Sequence, residues 1–310
     1  LLTHLCGGSA GREGTAVQMG GAIADQFTKI FRRSNSDRKL LLIIGISGGF
    51  AAVFGTPIAG AIFALEIMVL GRMRYESVLP SITAAVASHY VCLFWGAHHT
   101  LYFIPEVPRM GVQNLFITVF AGILFGLTAM WFSKSIHFVS TISSKIVSYA
   151  PLRPFIGGVL IALFVFFTGS TKFIGLGIPT IVEAFYVSLP ASDFAIKLLI
   201  TAFTLGVGFK GGEVTPLFFM GATLGSALFI FLPLPIALLA GMGFVAVFSG
   251  ATNTPIACTI MGIELFGIES GVYMAIACFV AYLFSGHTGI YSSQIIGGSK
   301  HFIYSKLKIK

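Results

Sequence analysis

Charge is scarce in this sequence. Only 10% of its 310 residues are Asp, Glu, Lys or Arg, too few to clothe a water-soluble chain that is 56% hydrophobic. Cysteine is scarce as well. Cys6, Cys92, Cys258 and Cys278 stand in or beside apolar stretches without a CxxC pair, which leaves no metal-ligand spacing and makes them small core residues. No HExxH string and no Gly-Lys-Ser/Thr phosphate loop occurs. The histidines His4, His89, His137, His287 and His301 are dispersed, and His98 and His99 adjoin a polar loop, so the pattern argues against an intramembrane enzyme and predicts no metal or cofactor. The net charge of +8 does not gather in one patch, which argues against a nucleic-acid surface.

What the chain does have is apolar sequence, with a mean hydropathy of +0.93. Lipid must therefore solvate much of it. Runs at 40–54, 57–70, 78–96, 115–132, 155–168, 194–209, 216–232, 234–248, 255–266 and 272–285 are apolar or nearly so, separated by Gly, Pro or charge. A full crossing takes roughly 20 apolar residues, so the shorter runs predict half-helices or re-entrant segments. Broken helices at membrane depth are tolerated where their ends are buried in protein or line a wet cavity. The cations cluster at Lys29, Arg32, Arg33, Arg38 and Lys39, at Arg72 and Arg74, and at Lys300, Lys306, Lys308 and Lys310, which reads as cytoplasmic loops and a cytoplasmic C-terminal tail.

The sequence also repeats itself. Gly49-Phe50-Ala51-Ala52-Val53-Phe54, followed by Thr56-Pro57-Ile58-Ala59 and Glu66, recurs as Gly243-Phe244-Val245-Ala246-Val247-Phe248, followed by Thr254-Pro255-Ile256-Ala257 and Glu264. Upstream of each block lies a Gly-rich segment with a carboxylate: Gly11-Arg12-Glu13-Gly14-Thr15 before Met19-Gly20, and Gly212-Glu213-Val214-Thr215-Pro216 before Met220-Gly221. Duplicated halves of a transporter commonly meet at a midplane site built from interrupted helices whose positive ends face an anion. The expected division is 1–110 for the remainder of a first repeat and 111–310 for the second, in one membrane domain. Gly175-Leu176-Gly177-Ile178-Pro179 has no counterpart in the first copy, which predicts a further loop and helices before Leu1.

Glu13 has two readings. It is an ordinary first-turn carboxylate balanced by Arg12, or it is a tethered mimic of the anion that occupies the helix N-terminus when ionised and leaves when protonated. Glu213 is either paired with Lys210 at the interface or is a buried acid that exchanges protons. Thr215 offers a hydroxyl, and Pro216 suits a first helical turn. Tyr291 is a phenolic donor to an anion or one more member of an interfacial aromatic belt. Glu66 and Glu264 end parallel segments and read as scaffold at helix ends near water.

In combination, Gly11-Arg12-Glu13-Gly14, Pro57-Ile58-Ala59-Gly60 with Glu66, Gly212-Glu213-Val214-Thr215-Pro216 and Tyr291-Ser292 resemble the CLC family of chloride channels and anion/proton antiporters, across nearly the whole chain. That resemblance implies an all-α inverted-repeat bundle of tilted and broken helices, here N-terminally truncated. It also implies a homodimer with one anion pathway per subunit, in a bacterial inner (plasma) membrane. It makes Glu13 the gating glutamate and Tyr291 the central tyrosine, with Glu213 in proton transfer. Arg12, Gly14, Thr15, Val214, Thr215 and Tyr291 become the candidate anion-binding residues. Thr15 replaces the family's usual Pro, and Glu213 and Thr215 replace apolar residues. Both changes are similar to the fluoride/proton antiporter clade. Ile67 stands where many chloride/proton antiporters carry an inner proton-transfer glutamate. The expected partners are thus fluoride or chloride, protons and lipid, and the expected activity is fluoride export coupled to proton import, with a chloride-preferring channel or chloride/proton exchanger as the alternative.

Overall fold

A computed structural model describes residues 2–70, 75–287, 289–291, 294–296 and 300. Arg72, Arg74, Ser292, Ser293, His301, Lys306, Lys308 and Lys310 lie outside the described residues. The chain is helical: α1 (Leu2–Leu5), α2 (Glu13–Ile30), α3 (Asn35–Phe54), α4 (Pro57–Met68), α5 (Val78–Phe94), α6 (Val112–Ile146) and α7 (Leu152–Thr168) come first. There follow α8 (Ile178–Glu183), α9 (Ser192–Gly206), α10 (Val214–Leu228), α11 (Ile236–Thr252), α12 (Pro255–Phe266) and α13 (Gly271–Phe284). Among the described residues the extended structure is one parallel pair of two-residue strands, β1 (Val69–Leu70) and β2 (Ile295–Ile296), with a single bridge between Gly11 and Gly212.

Among the described residues two stretches, Tyr75–Phe94 and Val112–Ile146, are long and apolar enough to cross a bilayer alone. The others are shorter or less apolar, as the broken runs predict. The elements α2, α3, α4 and α5 recur in the same order as α10, α11, α12 and α13, and a short 3-10 turn precedes the last of each set. Within each set the first two helices pack together. Glycine makes that contact possible. A Cβ on Gly221 would fall on the carbonyl oxygen of Gly243, and one on Gly20 on that of Gly45. The repeated Met-Gly pairs are therefore crossing points, where small residues let helices approach closely in lipid. α10 and α11 form the centre: all of α10 and all of α11 beyond Ile236 are buried.

Each repeat breaks at the same place. α3 ends in left-handed Gly55 (φ 71°) and α11 in left-handed Asn253 (φ 62°). Each is followed by Thr-Pro, and proline at the helix start needs no amide partner. α4 and α12 then lie against each other, and here the structure adds to the scaffold reading of Glu66 and Glu264. The Glu66 carboxylate accepts hydrogen bonds from the backbone N–H groups of Ile256 (3.2 Å) and Ala257 (2.8 Å), in the first turn of α12. Glu264 accepts from Ile58 (3.0 Å) and Ala59 (2.8 Å), in the first turn of α4. The C-terminal end of each helix thus caps the N-terminal end of the other, so the two run antiparallel. Each carboxylate faces amides of the opposite repeat rather than open water.

Candidate functional site: the junction of two helix N-termini

The loops that lead into α2 and α10 meet. Gly11 N–H donates to Gly212 O (2.6 Å) and Gly212 N–H to Gly11 O (2.8 Å), a reciprocal pair that ties the two repeats back to back. A Cβ on Gly11 would stand 2.8 Å from both a Glu13 carboxylate oxygen and the Thr215 hydroxyl, so only glycine admits them. The start of α2 and the start of α10 are thereby held at one point. The first amides of a helix lack intrahelical acceptors and carry the positive end of its dipole.

Glu13 occupies that point. It is the first residue of α2 and is buried. One of its carboxylate oxygens accepts from Arg12 N–H (2.9 Å) and from the Thr215 hydroxyl in the first turn of α10. The bond to Thr215 crosses from one repeat to the other. Glu13 is therefore more than a first-turn counterion of its own helix. Arg12 is exposed and shares with Glu13 a cavity of about 150 Å³, lined also by Phe54, His98, His99, Thr100, Tyr102, Ile178 and Thr215. That volume is well above the roughly 10–15 Å³ that one water needs. Ile178 is delivered by the Gly175–Pro179 segment. The fully buried Lys197 pins this segment by donating to Phe173 O (3.1 Å) and Gly175 O (2.9 Å).

Glu213 is set apart from this cavity. It directly precedes α10, is half-buried, and does not line this cavity. Among the described residues it makes no ion pair, and Lys210 is exposed, its carbonyl accepting from the Thr3 hydroxyl (2.5 Å). Its neighbour in charge is Tyr291, which packs on the hydrophobic core within electrostatic range of Glu213 and Cys258. Tyr102, in the cavity, is instead within range of Glu13. Glu13 thus has Tyr102 within electrostatic range, and Glu213 has Tyr291.

Of the remaining sequence candidates, Val214 is buried at the start of α10 and Gly14 is packed close to Gly212 and Val214. Thr15 is exposed and absent from the cavity wall among the described residues. The sequence reading did not pick out His98, His99, Thr100 or Tyr102 as cavity residues. They sit on the loop between α5 and α6, outside both repeat motifs, and dispersed polar residues on a loop carry no spacing that marks them.

A family model described as voltage gated chloride channel matches residues 1–286. The chain is 52% identical over 307 residues to the chloride/fluoride channel protein of Pseudomonas syringae pv. tomato, covering 97% of this chain and 68% of that one. The H(+)/Cl(-) exchange transporter ClcA of Vibrio parahaemolyticus is 28% identical over 318 residues, covering 96% of this chain and 65% of that one. Among solved structures, a CLC-type fluoride/proton antiporter superposes with a TM-score of 0.91 at 34% identity, over 96% of this chain and 75% of that chain. Motifs, broken helices, duplicated topology and these similarities converge, and the chain belongs to the voltage gated chloride channel (CLC) family of integral membrane proteins.

Proposed function

We propose that this chain exports fluoride in exchange for protons taken up from outside, with Glu13 as the shared gate. The observation that carries the reading is the Glu13 carboxylate itself, held where two helix N-termini meet by the Arg12 amide and the Thr215 hydroxyl, on the wall of an open cavity. An ionised Glu13 takes the place of a bound anion. Once protonated it loses its claim on those donors, and an incoming anion replaces it. Glu213, set apart from the cavity and within electrostatic range of Tyr291, then completes proton transfer to the other compartment.

Fluoride is the better substrate for such a site. It is small, strongly hydrated and a strong hydrogen-bond acceptor, so short directed donors must replace its water. Amides, the Thr215 hydroxyl and the Tyr291 phenol supply that kind of donor. The similarity to a chloride/fluoride channel protein and to a fluoride/proton antiporter supports the choice. Ile67 offers no carboxylate at the inner position, which argues against the usual chloride/proton route. The similarity to chloride exchange transporters makes chloride/proton exchange the alternative.

The same reading sets the chain as a homodimer in a bacterial plasma membrane, with repeats dividing at 110/111. α3 runs from the basic turn at Lys29–Lys39 to Phe54 on the cavity wall. With that turn in the cytoplasm, the cavity is the outer vestibule. Liposomes holding the protein and loaded with fluoride should lose it while taking up protons, and E13Q should abolish the coupling. Fluoride loss without proton movement in the unmutated protein would refute antiport, and equal chloride flux would favour the alternative.

A further inference from the structure

We propose that His99 loads protons from the vestibule onto Glu13, an inference that rests on the antiport reading above. His99 is half-buried on the loop between α5 and α6 and shares the cavity wall with Glu13 and Arg12. Its Nε2 lies 2.8 Å from the carbonyl oxygen of Ala52. A carbonyl only accepts, so Nε2 carries the hydrogen and the basic lone pair of the neutral ring is on Nδ1. That nitrogen abuts Gly55, where a Cβ would stand 2.9 Å from Nδ1 and 3.0 Å from Cγ. Gly55 is thus glycine twice over, for its left-handed φ and for the room the imidazole needs. The ring is held by one nitrogen and basic at the other, beside a cavity large enough for water, whose wall Glu13 shares.

The groups around it suit a proton relay. α3 presents only backbone, at Ala52 and Gly55. α5 presents Cys92, whose thiol donates to the same Ala52 carbonyl (3.3 Å), and His89, stacked on His99 with ring centroids 6.0 Å apart, whose Nδ1 is buried without a hydrogen-bond partner among the described residues. α12 presents Glu264, which is within electrostatic range of His89 and engaged by the amides of Ile58 and Ala59. α2 presents Arg12 and Glu13 across the cavity, and the loop itself adds His98 and Tyr102. Among the described residues no carboxylate is hydrogen-bonded to the His99 ring, and imidazole is the side chain that exchanges protons between pH 5 and 8. A proton from the vestibule binds Nδ1 to give the imidazolium. It then passes through cavity water to a Glu13 oxygen, which restores the neutral ring and leaves Glu13 a carboxylic acid free to quit the junction.

The test is fluoride efflux and proton uptake by the intact protein in liposomes, with vestibule-side pH varied between 5 and 8. H99Q, whose amide can still donate to Ala52 O, should keep the wild-type ratio of protons to fluoride but lose acid-side acceleration, running roughly tenfold slower at the acid end. A wild-type pH profile in H99Q would overturn the inference and leave antiport standing, whereas wild-type efflux without protons would overturn both. Should H99Q fail to fold, H99A with added imidazole decides. Recovery of the acid-side rate supports the relay, and no recovery refutes it.

Discussion

Thr215 and Glu13 show how little of a site of this kind a single side chain decides alone. In the proposed cycle Thr215 serves two acceptors in turn, the Glu13 carboxylate to which it now donates and the anion once Glu13 has left. A hydrogen bond to a charged acceptor is worth about 1.5 kcal/mol, about a tenfold change in occupancy. T215V should therefore lower fluoride transport about tenfold, while T215S, which keeps the hydroxyl, stays near wild type. A fluoride electrode reads both. Equal rates in T215V and wild type would remove Thr215 from the pathway. At this scale the sequence was most informative where chemistry is unusual for lipid: two acids in Gly-rich segments between apolar runs. It was silent where chemistry is ordinary. His99 and Tyr102 belong to the site only because a loop folds over the ends of α2 and α3, and nothing in their local sequence signals that contact.

Among the elements, the pairing of α4 with α12 is the clearest case of half-legible structure. Equal Pro-to-Glu spacing in both copies showed that Glu66 and Glu264 were equivalent, and it gave them a scaffold role. It did not show that each caps the other's helix, because reciprocity depends on the two repeats running in opposite directions, which no local pattern encodes. Physically, a carboxylate placed on two free amides at a helix start neutralises the dipole and pairs donors that lipid cannot satisfy. Losing one arm leaves two donors unpaired and should cost about 2 to 3 kcal/mol. E66A and E264A should thus each lower stability by that amount, with E66Q and E264Q falling between them and wild type, since an amide oxygen still accepts. A helix of 12 residues is about 18 Å long, so the two arms are far enough apart for the double variant to be additive. Unfolding in detergent measures it. A double variant no worse than either single one would mean that the arms do not act as independent caps.

For the whole molecule, the duplicated order of helices does what neither half could do alone. Each repeat supplies one broken loop, one acid and one positive helix end. The Gly11–Gly212 bridge brings them together, with Glu13 on the cavity wall and Glu213 within electrostatic range of Tyr291. In the proposed function the outcome depends on which compartment each side meets, which the proposal takes from the basic turn between α2 and α3. The orientation is open to direct measurement. In a background where exposed Cys6 and half-buried Cys92 are replaced by serine, the remaining cysteines Cys258 and Cys278 are buried and should stay silent. S36C, on the exposed basic turn, should react with an impermeant maleimide only after the membrane is opened, and A97C, on the exposed loop beside the vestibule, should react in intact cells. The opposite pattern would turn the vestibule toward the cytoplasm. His99 would then draw its proton from inside, and proton entry could no longer drive fluoride out through Glu13 in the order argued above.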